Sequence, residues 1–310
     1  MRAARLSPRA YERLTLVAAV AVAFIIVTGA AVRLTGSGLG CPDWPTCTGT
    51  HIVAALSYHQ MVEFVNRTVT GAVSVVVILA VLGSMVRVPR RRDLTLLSWG
   101  LVAGVVGQIV LGGITVLVKL APQAVMAHFL VSMALLADAV VLHHRAGQGD
   151  GPRRPVVDHD LVRLGRLMIV LTGVTIVLGT VVTSSGPHGG DPKARRFELS
   201  LHRVTQVHGS SAMLLLALVV ATLVLLRINR APNVARRRAG LVLEALAAQV
   251  AVGYLQYFTG VPVLLVGVHV AGAVVVWAAV LRYNLALHVP AARPGAGQVA
   301  VPRTAVLAES

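Results

Sequence analysis

Apolar positions along this chain gather into eight long runs, at residues 14–32, 59–86, 94–118, 122–143, 164–184, 201–226, 239–258 and 262–287, separated by short stretches rich in Arg, Gly and Pro. Each run is close to the ~20 residues a helix needs to cross the hydrocarbon core of a bilayer. The pattern therefore predicts an all-α polytopic membrane protein with eight transmembrane helices. An even number of crossings returns both termini to one side. The first run starts too far into the chain and is too long for a cleaved secretory signal, and no small-residue cleavage motif follows it, so it is expected to stay as a helix.

Composition agrees, with 56% hydrophobic and 13% charged residues and a mean hydropathy of +0.77. These values exclude an ordinary soluble domain. The formal charge of +16 is spread over short Arg clusters between the apolar runs. That distribution fits membrane lipid as the partner and argues against nucleic acid. Most of the 28 Lys and Arg lie in the N-terminus, the 87–92, 145–166 and 227–238 loops and the tail, so both termini are expected to be cytoplasmic. The tail, 290–310, has no apolar periodicity and is expected to be disordered.

The chain also repeats itself. Gln108, Gly112 and His128 recur at one constant shift as Gln249, Gly253 and His269. Weaker echoes link Thr28-Gly29 through Thr35-Gly36-Ser37-Gly38 with Leu178-Gly179-Thr180 through Ser184-Ser185-Gly186-Pro187. Two pseudo-repeated four-helix bundles in parallel orientation follow, an N-terminal half over 1–146 and a C-terminal half over 161–289, joined by a cytoplasmic linker at 147–160.

Within this apolar frame a few polar residues carry the chemistry. His59, Glu63, Asn66 and Arg67 occupy positions i, i+4, i+7 and i+8 of the second run, so they share one stripe that must face protein. An ionisable group inside a membrane helix costs several kcal/mol unless it is paired or used. The stripe is therefore either an internal Glu63/Arg67 salt bridge or a functional site, and both readings stand. His128, His208 and His269 lie at matched depths in the fourth, sixth and eighth runs. One buried histidine is most often a satisfied core residue; three at one depth, two of them repeat-related, point to heme held between bundle helices. Small neighbours such as Gly209, Ser210, Ser211, Gly267, Ala271 and Gly272 would leave room for a flat macrocycle.

The halves differ in a way that bears on function. The second has His208 and His269, enough for a six-coordinate, electron-transferring heme. The first has His128, but near the depth of His208 it carries Asn66, with His59 closer to the outer surface and Glu63 beside it. One half thus looks suited to chemistry on a bound porphyrin and the other to carrying electrons. Cys41 and Cys47 lie in an outer loop where a structural disulfide is the favoured reading and a redox-active dithiol the alternative. With no further cysteine, a zinc module and a cysteine-held iron–sulfur cluster are excluded. His202, His188 and His51 at the outer side, His143, His144 and His159 in cytoplasmic linkers, and Glu244 and Asp138 near cytoplasmic arginines are read as solvated or structural.

Taken together, Thr28-Gly29-Ala30 through Arg33-Leu34-Thr35-Gly36-Ser37-Gly38, the Cys41/Cys47 loop, Glu63-Phe64-Val65-Asn66-Arg67, His128, His208 and Gln256-Tyr257-Phe258-Thr259-Gly260-Val261-Pro262 before His269 make the chain resemble bacterial heme A synthase over nearly its whole length. The resemblance implies an eight-helix oxidoreductase of the bacterial cell membrane that oxidises a methyl group of heme O to the formyl group of heme A for cytochrome oxidase. It implies a heme b cofactor on His208 and His269, substrate heme on His128, an essential acid at Glu63 and the outer cysteine pair at Cys41 and Cys47. Heme O synthase, cytochrome oxidase assembly factors and a second copy of the chain are candidate partners. Two departures stand out. Many members have His-Arg where this chain has Asn66-Arg67, so the substrate iron is expected to be held by His128 with His59 or by His128 alone. The Ser185–Pro192 loop also lacks the second cysteine pair of some members. The competing classes are a di-heme b electron-transfer subunit, which needs the histidines but not Glu63, and a two-fold-repeat transporter, which needs Glu63/Arg67 but no heme.

Overall fold

The computed structural model describes residues 5–290, so the expected tail disorder falls, except for Pro290, outside the described residues. Within them the apolar runs form α1 (Pro8–Leu34), α2 (Tyr58–Val86), α3 (Arg92–Leu117), α4 (Pro122–Ala146), α5 (His159–Ser185), α6 (Leu201–Ile228), α7 (Asn233–Phe258) and α8 (Val263–Ala286). All eight are long and apolar enough to cross a membrane. At 24 to 29 residues and 1.5 Å per residue, they span about 36 to 43 Å, the hydrocarbon core plus part of each interface.

Local chemistry sets the helix ends. Ser7 caps α1 by accepting the Ala10 N–H at 3.2 Å, with Pro8 in the first turn. Pro122 opens α4, where its missing N–H costs nothing. The chain leaves α1 through Gly36 at φ +69° and α7 through Gly260 at φ +81°, backbone conformations that glycine adopts without strain. Inside the helices, hydroxyls such as Thr70, Ser74, Thr172 and Thr222 donate to the carbonyl four residues earlier. That back-bonding satisfies them where no water is available. Large apolar side chains point outward, among them Phe258 at 76% and Leu264 at 77% exposure, as lipid-facing surface does.

In the first half α1 packs with α2 and α3 with α4; the second repeats this with α5–α6 and α7–α8, and the halves meet where α1, α4 and α8 come together. Val274 and Leu281 of α8 share one apolar core with Val22, Leu101 and Leu136. Across this junction the Trp277 indole donates to the Met133 carbonyl at 2.9 Å.

Several positions differ from their expected surroundings. The linker holds a short strand, β1 (Arg153–Pro155), paired antiparallel with β2 (His288–Pro290), and three residues are too few to leave a periodic signal. His143 and His144 sit in the last turn of α4, not in a linker, with His143 Nδ1 3.4 Å from Thr15 Oγ1 of α1. Asp138 packs against Gly100 of α3, and it forms no ion pair among the described residues, because its helical position turns it toward α3 and away from the arginines at the membrane surface. His188 is half-buried and donates from Nε2 to the Val261 carbonyl at 2.9 Å.

The loops that follow α1 and α5 are also tied across the halves. Arg33 donates from Nε to the His188 carbonyl at 2.8 Å and from NH2 to the Thr183 carbonyl at 2.9 Å, and Gly38 N–H reaches the Gly190 carbonyl at 2.9 Å. Hydrogen bonds from a charged donor contribute about 1.5–3 kcal/mol each. Arg33→Ala is therefore expected to lower the thermal midpoint of the purified protein while circular dichroism shows unchanged helix content below the transition; an unchanged midpoint would mean the two halves do not depend on this tie.

Candidate functional site

The second half brings two imidazoles face to face. His208 of α6 and His269 of α8 have ring centroids 6.2 Å apart with planes at 77°. His208 Nδ1 lies 3.1 Å from the Thr175 carbonyl, and since a carbonyl only accepts, Nδ1 carries the proton and the Nε2 lone pair is free. The main chain of His269 is held by Gln249, whose Nε2 donates to its carbonyl at 2.6 Å. His269 Nδ1 is buried with no hydrogen-bond partner among the described residues. Both rings press on glycines: a Cβ at Gly179 would lie 3.1 Å from His208 Cε1, and one at Gly253 would lie 3.1 Å from His269 Cε1.

This pair fits a metal that brings its other ligands with it. Two metal–nitrogen bonds of about 2 Å plus two ring radii put imidazole centroids roughly 6 Å apart, which the observed spacing meets. Among the described residues no cluster of three or more His, Cys, Asp or Glu could hold a bare ion. Two histidines with no further protein donor nearby would suit an iron porphyrin, which supplies the remaining ligands itself.

The first half repeats the frame with one imidazole. Gln108 Nε2 donates to the His128 carbonyl at 3.0 Å and to Ser132 Oγ at 2.6 Å, as Gln249 does for His269. Gly112 faces His128 Cε1 at 3.4 Å from its would-be Cβ, and His128 Nδ1 is buried without a partner. On the opposite side the resemblance stops. Asn66 accepts from Thr28 Oγ1 at 3.1 Å, and a Cβ at Gly29, the counterpart of Gly179, would meet nothing within 4 Å among the described residues. Space that a second ring fills in one half is open in the other.

The polar stripe of α2 divides between two neighbours. His59 is exposed in the first turn and lies with Nδ1 2.9 Å from Ser37 Oγ. Glu63, only 6% exposed, accepts the Cys41 N–H at 2.8 Å on Oε2 and the Arg67 guanidinium at 2.8 Å on Oε1. Arg67 donates further to the carbonyls of Thr46 at 3.0 Å, Cys41 at 3.1 Å and Asp43 at 3.1 Å. The Glu63/Arg67 salt bridge thus exists, and it also holds down the loop closed by the Cys41–Cys47 disulfide. From that loop Trp44 descends onto α3, where its indole lies so close to Gly113 that a Cβ would sit 2.6 Å from Cδ2. Sequence reasoning missed this contact; the consecutive glycines Gly112-Gly113 in an apolar helix were the available signal. His202 pairs with Tyr257, Nδ1 to OH 2.8 Å, where α6 begins and α7 ends, and His51 is exposed in the loop between α1 and α2.

Comparison with known proteins gives a match to the COX15-CtaA family model, described as a cytochrome oxidase assembly protein, over residues 12–281. Similar proteins named heme A synthase include those of Bacillus licheniformis (28% identical over 43% of this chain and 44% of the relative), Shouchella clausii (31% over 46% and 48%) and Shewanella oneidensis (27% over 51% and 51%). The chain spans about half the length of the curated relatives it matches.

Arg67, whose side chain is 26% exposed, makes three hydrogen bonds to loop carbonyls and one to Glu63, and bonds from a charged donor contribute about 1.5–3 kcal/mol each. Arg67→Ala is therefore expected to free the 41–47 loop, read as amide hydrogen exchange accelerated at least tenfold there and unchanged in the middle of α6. Equal protection in both proteins would show that Arg67 does not hold the loop.

Proposed function

The chain belongs to the COX15-CtaA family of cytochrome oxidase assembly proteins, and from that premise we propose that it is a heme A synthase, an integral membrane oxidoreductase that converts a methyl group of heme O to the formyl group of heme A. One observation carries the reading: paired imidazoles 6.2 Å apart in one half, against a repeat-related single imidazole with an open opposite side in the other. A metal-binding duplication with that asymmetry suits one resident heme and one exchangeable heme.

In this proposal His208 and His269 hold heme b, whose part when bound is one-electron transfer. Residues 161–289 form the cofactor half and 1–146 the substrate half, joined at 147–160. His128 holds the iron of heme O, with the Gln108 bond to its carbonyl fixing where α4 presents the ring. His59 is bonded to Ser37 through Nδ1, which leaves its Nε2 free, so the substrate iron is read as held by His128 with His59 or by His128 alone. Oxidising a ring methyl requires a group that takes protons from carbon or orients the attacking oxygen, and Glu63 is the acid beside this half. Arg67 keeps the carboxylate charged and aimed, while Asn66 and Thr28 line the neighbouring wall. The Cys41–Cys47 bond is assigned a structural role, as the brace of the loop that covers Glu63. The Arg-rich loops support a cytoplasmic side for both termini and an outward side for the loop that covers Glu63. The product would pass to cytochrome oxidase assembly, with heme O synthase upstream.

Pigment extraction tests this. The purified protein is expected to carry protoheme together with heme O or heme A, and His208→Ala or His269→Ala should lose the protoheme. Glu63→Gln should keep both pigments while formation of heme A falls by about 10²–10⁴-fold, the usual contribution of a positioned acid–base group. Two protohemes with no heme O or A would instead favour an electron-transfer subunit, and absence of any Soret band would favour a transporter.

A further inference from the structure

We propose that Trp44 is the aromatic wall of the first-half porphyrin site, carried in by the disulfide loop, and that it governs how tightly the substrate porphyrin is held. The inference deepens the proposed function and rests on its reading that the first half binds the substrate.

The argument starts on α3. Gly112 and Gly113 are successive positions about 100° apart on one helix and at nearly one height. Gly112 faces the His128 imidazole, and Gly113 faces the Trp44 indole, with a would-be Cβ 2.6 Å from Cδ2 and 2.7 Å from Cε2. Trp44 therefore stands at the depth of the candidate iron ligand, one helical position around from it, although its backbone belongs to the outer loop. Only glycine at 113 permits the approach. The indole is 40% exposed, so part of its surface stays open to a ligand, and its N–H makes no hydrogen bond among the described residues. A flat apolar face with a free donor at its edge complements a macrocycle that bears carboxylates.

The second half supplies the contrast. The shift that carries Gln108 to Gln249 and Gly112 to Gly253 carries Gly113 to Tyr254. Tyr254 is built into α7 and stacks on Phe258, with ring centroids 6.2 Å apart and planes at 14°. Both halves thus have an aromatic ring at this helical position, one place on from the histidine-facing glycine, with Tyr254 50% exposed at the edge of its half. In one it is fixed to a helix; in the other it hangs from a loop held by Glu63, Arg67 and a disulfide. A cofactor that stays suits a fixed wall, and a substrate that must enter and leave suits one on a loop. Because Glu63 accepts from Cys41 N–H, seating the loop also positions the acid.

The test is transfer of heme O from the full-length protein in lipid nanodiscs to excess apomyoglobin. Trp44→Ala is expected to release heme O about tenfold faster, the scale of one lost aromatic contact, and to raise KM more than it lowers kcat. The protoheme spectrum of the second half should not change. Trp44→Phe should recover most of the retention, and Gly113→Ala, which leaves Trp44 in the chain but displaces it, should behave like Trp44→Ala. Tyr254→Ala should loosen protoheme and leave heme O retention unaltered. Parental release rates in both Trp44→Ala and Gly113→Ala would overturn the proposal. His128→Ala separates the two levels: if heme O is still retained in that variant, the substrate-half reading itself fails, whereas loss of heme O there with parental release in the Trp44 variants overturns this inference alone.

Discussion

Everything distinctive about this molecule depends on a pair of imidazoles held 6.2 Å apart in a membrane-spanning bundle. A bilayer offers no water to a polar side chain, so each imidazole there must be bonded or put to use. The protein holds the pair from outside its rings. Thr175 fixes the tautomer of His208 and Gln249 takes the carbonyl of His269, which leaves nitrogen lone pairs available. Glycines at 179 and 253 let the rings approach the neighbouring helices.

Duplication explains why the same devices recur around His128, and divergence explains what is missing. Gln108 and Gly112 preserve the backbone clamp and the glycine contact, while Asn66 turns to Thr28 and leaves Gly29 facing open space. The acid fits the same logic. Glu63 would be costly alone, but its charge is shared with Arg67 and a backbone N–H, and Arg67 spends its remaining donors on three loop carbonyls. Binding the loop and stabilising the carboxylate are one set of interactions, so the setting of the Glu63 carboxylate is coupled to the conformation of residues 41–47.

Much of this was legible in the sequence because membranes impose simple periodicities. Eight runs of spanning length became eight helices, and the constant shift between Gln108/Gly112/His128 and Gln249/Gly253/His269 became a spatial repeat. The juxtaposition of His208 with His269 was readable from depth alone. What escaped depended on contacts without a period. The β1–β2 pairing joins three-residue segments far apart in the chain. His188 is recruited by Val261 and Arg33 through backbone carbonyls that any residue would present, and the descent of Trp44 onto Gly113 depends on how a closed loop folds back. The α2 stripe was read as one face, yet small differences in angle send Asn66 toward α1 and Glu63 toward the loop.

The central claim, one iron gripped by His208 and His269, meets its most direct test in low-temperature electron paramagnetic resonance of the oxidised, purified protein. With His208 and His269 both ligating at their ring angle of 77°, a ferric heme would be low-spin with a strongly anisotropic signal, because near-perpendicular imidazoles leave the iron orbitals nearly degenerate. The account predicts that signal in the parent protein and its disappearance in His269→Ala. A resident heme that is purely high-spin, or one whose low-spin signal survives the loss of His269, would contradict it.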